Sequence, residues 1–194
     1  MRASIIKSSC VAVAAIILGL SATPVSAQES GDWESLKADS KKAKINSMAD
    51  EALAELFTQS SKAKELYGRS YGWAVFDNMK ITFGISGGGG QGVAVAKDSG
   101  KRTYMKMGTA GLSVGIGAKS YQVVFLFEDS KTFSSFVEKG WQADATASAV
   151  AGTAGAEGQS GFSNGLATYV ITDKGLMAAA DISGTKYWKN KKLN

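Results

Sequence analysis

Hydrophobic residues recur every three to four positions in the segment from Asp32 to about Leu66, which contains neither proline nor glycine. This spacing predicts one amphipathic helix, or two, with the apolar face packed on the rest of the protein. The apolar positions are Ile45, Met48, Ala49, Ala52, Leu53, Leu56 and Phe57. The polar positions mix seven acidic residues with six lysines. Because membrane-surface helices are usually rich in Lys or Arg, we expect this face to contact solvent.

After Gly68 the pattern changes to short β-type segments separated by glycine. Apolar residues alternate with small or polar ones in residues 81–86 and 111–117, which predicts strands with one apolar, buried face. The glycine-rich residues 87–92 lack the Lys-Ser or Lys-Thr of a phosphate-binding loop. We therefore expect them to form a flexible hairpin connection.

Three other apolar segments predict strands. Residues 121–127 are apolar nearly throughout, which indicates a strand buried on both faces. Residues 166–172 and 176–183 predict two more strands, joined by a turn at residues 173–175.

Between these strands, Asp129 or Ser130 can cap a short helix that Gly140 would end. The inner face of this helix would be formed by Phe133, Phe136 and Val137. The predicted class is α+β, a glycine-rich antiparallel sheet or half-barrel with an N-terminal amphipathic helical segment and a short helix packed against it. Glycine within strands favours a tightly coiled, barrel-like sheet. A surface that accommodates a ligand is the alternative.

The first residues have the pattern of a secretory signal. Arg2 and Lys7 precede an apolar stretch at residues 11–20, and small residues lead to Ala27. We expect cleavage after Ala27, since the apolar stretch is only about half of the roughly 20 residues that span a bilayer. The protein is therefore expected to be periplasmic or otherwise exported, with possible peripheral attachment to a membrane.

Composition excludes several kinds of chemistry. The chain has no histidine, and its one cysteine, Cys10, would leave with the signal. The commonest catalytic base, a thiol nucleophile and nearly all zinc sites are thereby excluded. We therefore predict that the protein is not an enzyme and that it has no catalytic residue, metal or cofactor. Gly161-Phe162-Ser163-Asn164-Gly165 has nucleophile-elbow spacing but lacks a histidine partner. Asp77, Asp144 and Glu157 remain an open carboxylate alternative.

Net charge is +5 and falls to +3 without Arg2 and Lys7, which argues against nucleic-acid binding. The basic residues nevertheless cluster in two places, and we predict that they contact lipid headgroups. They are Lys101, Arg102 and Lys106 at a hairpin, and Lys186, Lys189, Lys191 and Lys192 near the C-terminus. Tyr187 and Trp188 lie among the second group and suit a membrane interface. The alternative is a frayed lysine tail that only maintains solubility.

Four motifs together resemble the SYLF family, lipid-binding domains found in eukaryotic trafficking and actin-associated proteins and, in bacteria, as exported modules. The motifs occupy residues 72–76, 83–92, 113–127 and 174–177. The resemblance implies non-catalytic binding of anionic phospholipid. In eukaryotic relatives a basic N-terminal segment assists phosphoinositide binding, whereas the corresponding helix here is nearly neutral.

The resulting prediction has three parts: a cleavable signal peptide (residues 1–27), an N-terminal helical segment (28–67) and a SYLF-like, β-rich lipid-binding domain (68–194). The predicted function is non-enzymatic binding of anionic phospholipid at an envelope membrane. The predicted partner is a phospholipid or membrane surface and not nucleic acid. An envelope scaffold or protein-interaction module, with a protein partner or self-association, is the alternative.

Overall fold

A computed structural model describes residues 28–143, 161–177 and 184–194. Its elements are α1 (Gln28–Gln59), α2 (Ser61–Arg69), β1 (Gly72–Ala96), β2 (Arg102–Phe127), α3 (Ser130–Lys139), β3 (Trp141–Gln142), β4 (Leu166–Thr172), β5 (Gly175–Met177) and β6 (Thr185–Lys189). The predicted α+β class is confirmed. The predicted signal peptide, residues 178–183 of the last predicted strand, and both Asp144 and Glu157 lie outside the described residues.

The sheet is built on two long strands rather than several short ones. β1 has 25 residues and β2 has 26, and they pair antiparallel from Gly72 opposite Phe127 to Val95 opposite Arg102. Residues 87–92 lie inside β1, opposite residues 105–110. The prediction that they form a flexible connection is therefore wrong.

Glycine is needed in this segment because β1 bends until its second half touches its first. A Cβ atom at Gly90 or Gly92 would overlap the carbonyl oxygen of Asp77 or Val75. A Cβ atom at Gly88 would lie 2.6 Å from the carbonyl oxygen of Met79. Only glycine permits such a close approach of two backbones, and the register shift between residues 83 and 85 marks a bulge at the bend.

β2 is the central strand of the described sheet, whose order is β3-β6-β2-β4-β5 with β1 also paired to β2. β6 pairs with residues 105–109 of β2, and β4 pairs with residues 122–127. Among the described strands, residues 110–121 of β2 are therefore paired with β1 alone. We call this two-stranded part, residues 78–87 and 110–121, the distal ribbon.

Helices cover both faces of the sheet elsewhere. α3 lies on one face, where its Phe136 packs with Phe76 and Phe125. α1 and α2 lie on the other, over residues that include Val75 and Val124. Residues 123–127 are all fully buried, as predicted for a strand covered on both faces.

The helix ends follow local capping chemistry. Asp129 accepts a hydrogen bond from the Thr132 backbone N–H at 2.8 Å, and Gly140 ends α3 with φ 77°, as predicted. The N-terminal segment is two helices, with Ser60 capping α2 through the Ala63 N–H at 3.1 Å. α2 runs past the predicted boundary to Arg69. None of the described helices is long and apolar enough to span a membrane.

Candidate functional site

The first predicted basic cluster is divided between different surroundings. Lys101 is exposed in the turn between β1 and β2. Arg102, at the start of β2, donates from Nη1 to the Asn46 Oδ1 of α1 at 2.9 Å. Lys106 is half-buried on the same face of β2, four residues further along. The guanidinium of Arg102 therefore fastens the hairpin to α1, so this member of the cluster is engaged within the protein.

Lys106 instead lies beside the C-terminal strand. It is the register partner of Trp188, and its neighbour Gly108 is the partner of Lys186. Trp188 is 44% exposed, and its ring lies over Gly108, where an added Cβ atom would be 3.0 Å from Trp188 Cη2. Lys106, Lys186 and Trp188 thus share one outward face, which we call the basic strand face.

The remaining C-terminal lysines belong to a docked segment and not to a frayed tail. Lys189 ends β6, and Lys191 and Lys192 are exposed in the turn that follows. Leu193 is 5% exposed and packs in the core under α1. The Asn194 side chain hydrogen-bonds the backbone of Tyr104.

Tyr187, predicted at a membrane interface, is a core residue with 1% exposure. Its ring lies 4.7 Å from that of Phe76 and 5.1 Å from that of Phe125. Burial raises the pKa of its hydroxyl well above the ordinary value, and the neighbouring Tyr121 raises it further. Strand alternation explains the correction, because Tyr187 points inward when Lys186 and Trp188 point outward.

Buried polar side chains lie where the aromatic core meets the distal ribbon. Asn78 is 1% exposed opposite Tyr121, and Thr185 is fully buried on the strand that carries Tyr187. Among the described residues, the Asn78 amide, the Thr185 hydroxyl and the Tyr187 hydroxyl have no hydrogen-bond partner. The sequence held no sign of this cluster, because its members come from three distant segments.

A second exposed feature was also missed. Met79 and Ile81 are each 58% exposed, Phe83 is 75% exposed and Ile116 is 81% exposed. They lie on one face of the distal ribbon, which we call the apolar patch. The alternation in residues 81–86 and 111–117 predicted a buried apolar face, and for Ile81, Phe83 and Ile116 this prediction is wrong. The described helices cover the same face of β1 and β2 only beyond the distal ribbon, at residues such as Val75 and Val124.

Of the three candidate carboxylates, only Asp77 lies in the described part of the chain. No three His, Cys, Asp or Glu side chains there lie close enough to hold a metal ion. Burial raises the pKa of the Asp77 carboxyl group. A hydrogen bond from the Asn78 backbone N–H lowers this pKa by a smaller amount. Ser163 pairs with Leu166 in a tight turn before β4, with no helix following it. The nucleophile-elbow arrangement of strand, serine and helix is therefore not formed here.

Comparison with known proteins gives two matches. Residues 108–194 match the sequence model of the Ysc84 family, described as "Las17-binding protein actin regulator". The chain is also 48% identical over 149 residues to "Beta cell expansion factor A" from Aeromonas veronii. That match covers 77% of this chain but 57% of the relative, so the chain spans little more than half of the relative's length. Ysc84 domains are SYLF domains, and the resemblance found in the sequence motifs is confirmed.

Proposed function

Because this chain belongs to the Ysc84 (SYLF) family, a family of binding domains, we propose that it is a non-enzymatic domain that binds anionic phospholipid at an envelope membrane. The observation that carries the proposal is the basic strand face. It combines an exposed indole with two lysines on adjacent, paired strands.

The chemistry of this face suits the boundary between headgroups and hydrocarbon. An indole ring has an apolar body and a polar N–H, and it partitions to that boundary. Lysine keeps its ammonium in the headgroup layer while its stem lies against apolar surface. Each lysine near an anionic membrane contributes about 1 kcal/mol. Lys106 and Lys186 therefore support membrane affinity, together with the exposed Lys189, Lys191 and Lys192.

The strand framework fixes these side chains in place. Trp188 is held by its register with Lys106, and the segment after it is docked through Asn194. A rigid surface loses less side-chain entropy on binding than a mobile tail would. The N-terminal signal pattern supports the further proposal that the domain acts outside the cytoplasm, attached peripherally to the membrane.

Co-sedimentation of the full chain with neutral and anionic vesicles tests the proposal. We expect binding to anionic vesicles that weakens at high salt, because surface charges are screened. Replacing Lys106 and Lys186 with Gln should reduce this binding. The matched control replaces Lys41 and Lys131 with Gln, which removes the same charge from exposed positions on α1 and α3.

An equal loss of binding in both double variants would mean that only net charge matters and would remove the basic strand face from the proposal. Failure of the unaltered chain to bind any vesicle would overturn the function itself. Concentration-dependent self-association, or binding to a protein without any lipid response, would then favour the interaction-module alternative.

A further inference from the structure

We infer that the apolar patch of the distal ribbon inserts its side chains into the hydrocarbon at a membrane surface. The inference rests on the proposed membrane function and adds a second element to it. The basic strand face contacts headgroups, whereas the apolar patch removes hydrocarbon-like surface from water.

The register makes the patch continuous. Phe83 is directly opposite Ile116, and Ile81 is opposite Ala118. Met79 lies two residues before Ile81 on β1 and therefore has its side chain on the same face. Four large apolar side chains are thus neighbours, which differs from the single exposed apolar residues common on protein surfaces.

The position of the patch makes it accessible to a flat surface. The same face of β1 is buried under α1 and α2 at Trp73 and Val75, and the apolar stripe then continues beyond the helices. Among the described strands, only β1 and β2 form the ribbon there. A narrow ribbon with exposed apolar side chains can enter a membrane surface without steric interference from the core.

Charge on the reverse face favours a membrane as the occupant. Lys80 is directly opposite Lys119 on the two strands, on the face away from the patch. Residues 78–87 and 110–121 contain these two lysines and no acidic residue, so the charge of the distal ribbon complements anionic headgroups.

Backbone chemistry limits the depth of insertion. An open two-stranded ribbon has strand edges whose N–H and C=O groups require hydrogen bonds, and hydrocarbon offers none. The backbone should therefore stay at the headgroup level. Only the outer parts of Met79, Ile81, Phe83 and Ile116 should reach the hydrocarbon.

An environment-sensitive probe tests this directly. In the full chain with Cys10→Ser, a nitrobenzoxadiazole label is attached at Phe83→Cys, or at Leu36→Cys as a matched control. Leu36 is an exposed apolar residue on α1 with 63% exposure. We expect anionic vesicles to shift the Phe83 label to shorter wavelength, with quenching by shallow spin-labelled lipids, and to leave the Leu36 label unchanged.

Affinity gives a second measurement. Replacing Phe83 and Ile116 with Ser should weaken binding at high salt by about tenfold, because exposed apolar surface no longer leaves water. The matched control replaces Trp33 and Leu36 with Ser, and these are 59% and 63% exposed. Melting curves of both variants should match that of the parent, since none of the four side chains is buried.

Vesicle binding without a shift at Phe83 would overturn the inference and leave the proposed function intact. An equal shift at both labels would also overturn it. A short-wavelength signal before vesicles are added would mean that protein, either this chain or a second copy, already covers the patch, and would likewise overturn it. If vesicles do not bind at all, the proposed function fails first and this inference fails with it.

Discussion

Asn194 holds the C-terminal segment against Tyr104, which is 90 residues away in the sequence. Its side-chain oxygen accepts from the Tyr104 N–H at 3.0 Å, and its nitrogen donates to the Tyr104 carbonyl at 2.8 Å and to that of Asn190 at 2.7 Å. One amide thus reproduces the pairing of an additional strand residue beside β2.

Replacing Asn194 with Ala should therefore destabilise the protein. Loss of these bonds at a partly solvated edge should lower the free energy of unfolding by about 1–2 kcal/mol. Urea denaturation of the variant, beside a Lys192→Ala control at an exposed position, measures the effect. Equal stability of the two variants would show that water replaces the Asn194 bonds without cost.

The bend of β1 should be intolerant of a methyl group at Gly90. A Cβ atom there would overlap the Asp77 carbonyl oxygen, so Gly90→Ala should cost about 3 kcal/mol or prevent folding. Gly87→Ala is the matched control in the same glycine run, because no atom lies within 4 Å of its added Cβ. Thermal melts of both variants test the close approach, and similar melting temperatures would contradict it.

The Tyr187 hydroxyl should contribute nothing to stability. Within the described residues it has no hydrogen-bond partner although it is buried, so Tyr187→Phe should leave stability unchanged or raise it by about 1 kcal/mol. Tyr104→Phe is the comparison, because the Tyr104 hydroxyl accepts from Asn46 Nδ2 at 3.2 Å. That variant should be destabilised. A marked loss of stability in Tyr187→Phe would instead show that this hydroxyl makes a hydrogen bond.

Alkaline pH should unfold the protein through its buried tyrosines. Burial raises the pKa of Tyr169 to about 12 and the pKa of Tyr187 well above its ordinary value, whereas both ionise near 10 in the unfolded chain. Their contribution to stability is complete below pH 10 and is lost as the pH rises towards the folded-state values. Denaturation at several pH values, with tyrosinate absorbance, measures this loss. Tyr187→Phe should make it smaller, and an unchanged profile in that variant would contradict the assignment.

Arg102 should matter for stability more than for lipid binding. Its guanidinium donates a hydrogen bond to the Asn46 side-chain oxygen at 2.9 Å. Because Arg102→Gln removes this bond between β2 and α1, it should lower the melting temperature. Its vesicle affinity should fall no more than that of Lys101→Gln, which removes the same charge from the adjacent exposed turn. A loss of vesicle affinity larger than that of Lys101→Gln would show that Arg102 contacts headgroups.

Local chemistry was predictable where neighbouring residues decide it. The caps of α3 at Asp129 and Gly140, and the buried residues 123–127, follow from capping and periodicity. The β4–β5 hairpin was predicted for the same reason, although its turn is residues 173–174 and Gly175 already begins β5. Each of these depends on contacts within a few residues.

Tertiary relationships were not predictable. The glycines at positions 88, 90 and 92 resemble a loop unless the other half of the strand is known to approach them. Phe83 and Phe125 both have the pattern of buried strand residues. Of the two, only Phe125 lies on a strand paired on both sides and under a helix. Alternation could have separated Tyr187 from Trp188, had the strand been recognised between Thr185 and Lys189.

The central position of β2 has a consequence for the minimal folding unit. The family match begins at residue 108, within β2, and so excludes β1 and α1. A fragment starting there would leave Val124 and Leu126 without α1 on one side and Phe125 without Phe76 on the other. We therefore expect the boundary of autonomous folding to lie upstream, before the apolar positions of α1 that begin at Ile45. The limits of the family match and the limits of independent folding would then differ in this chain.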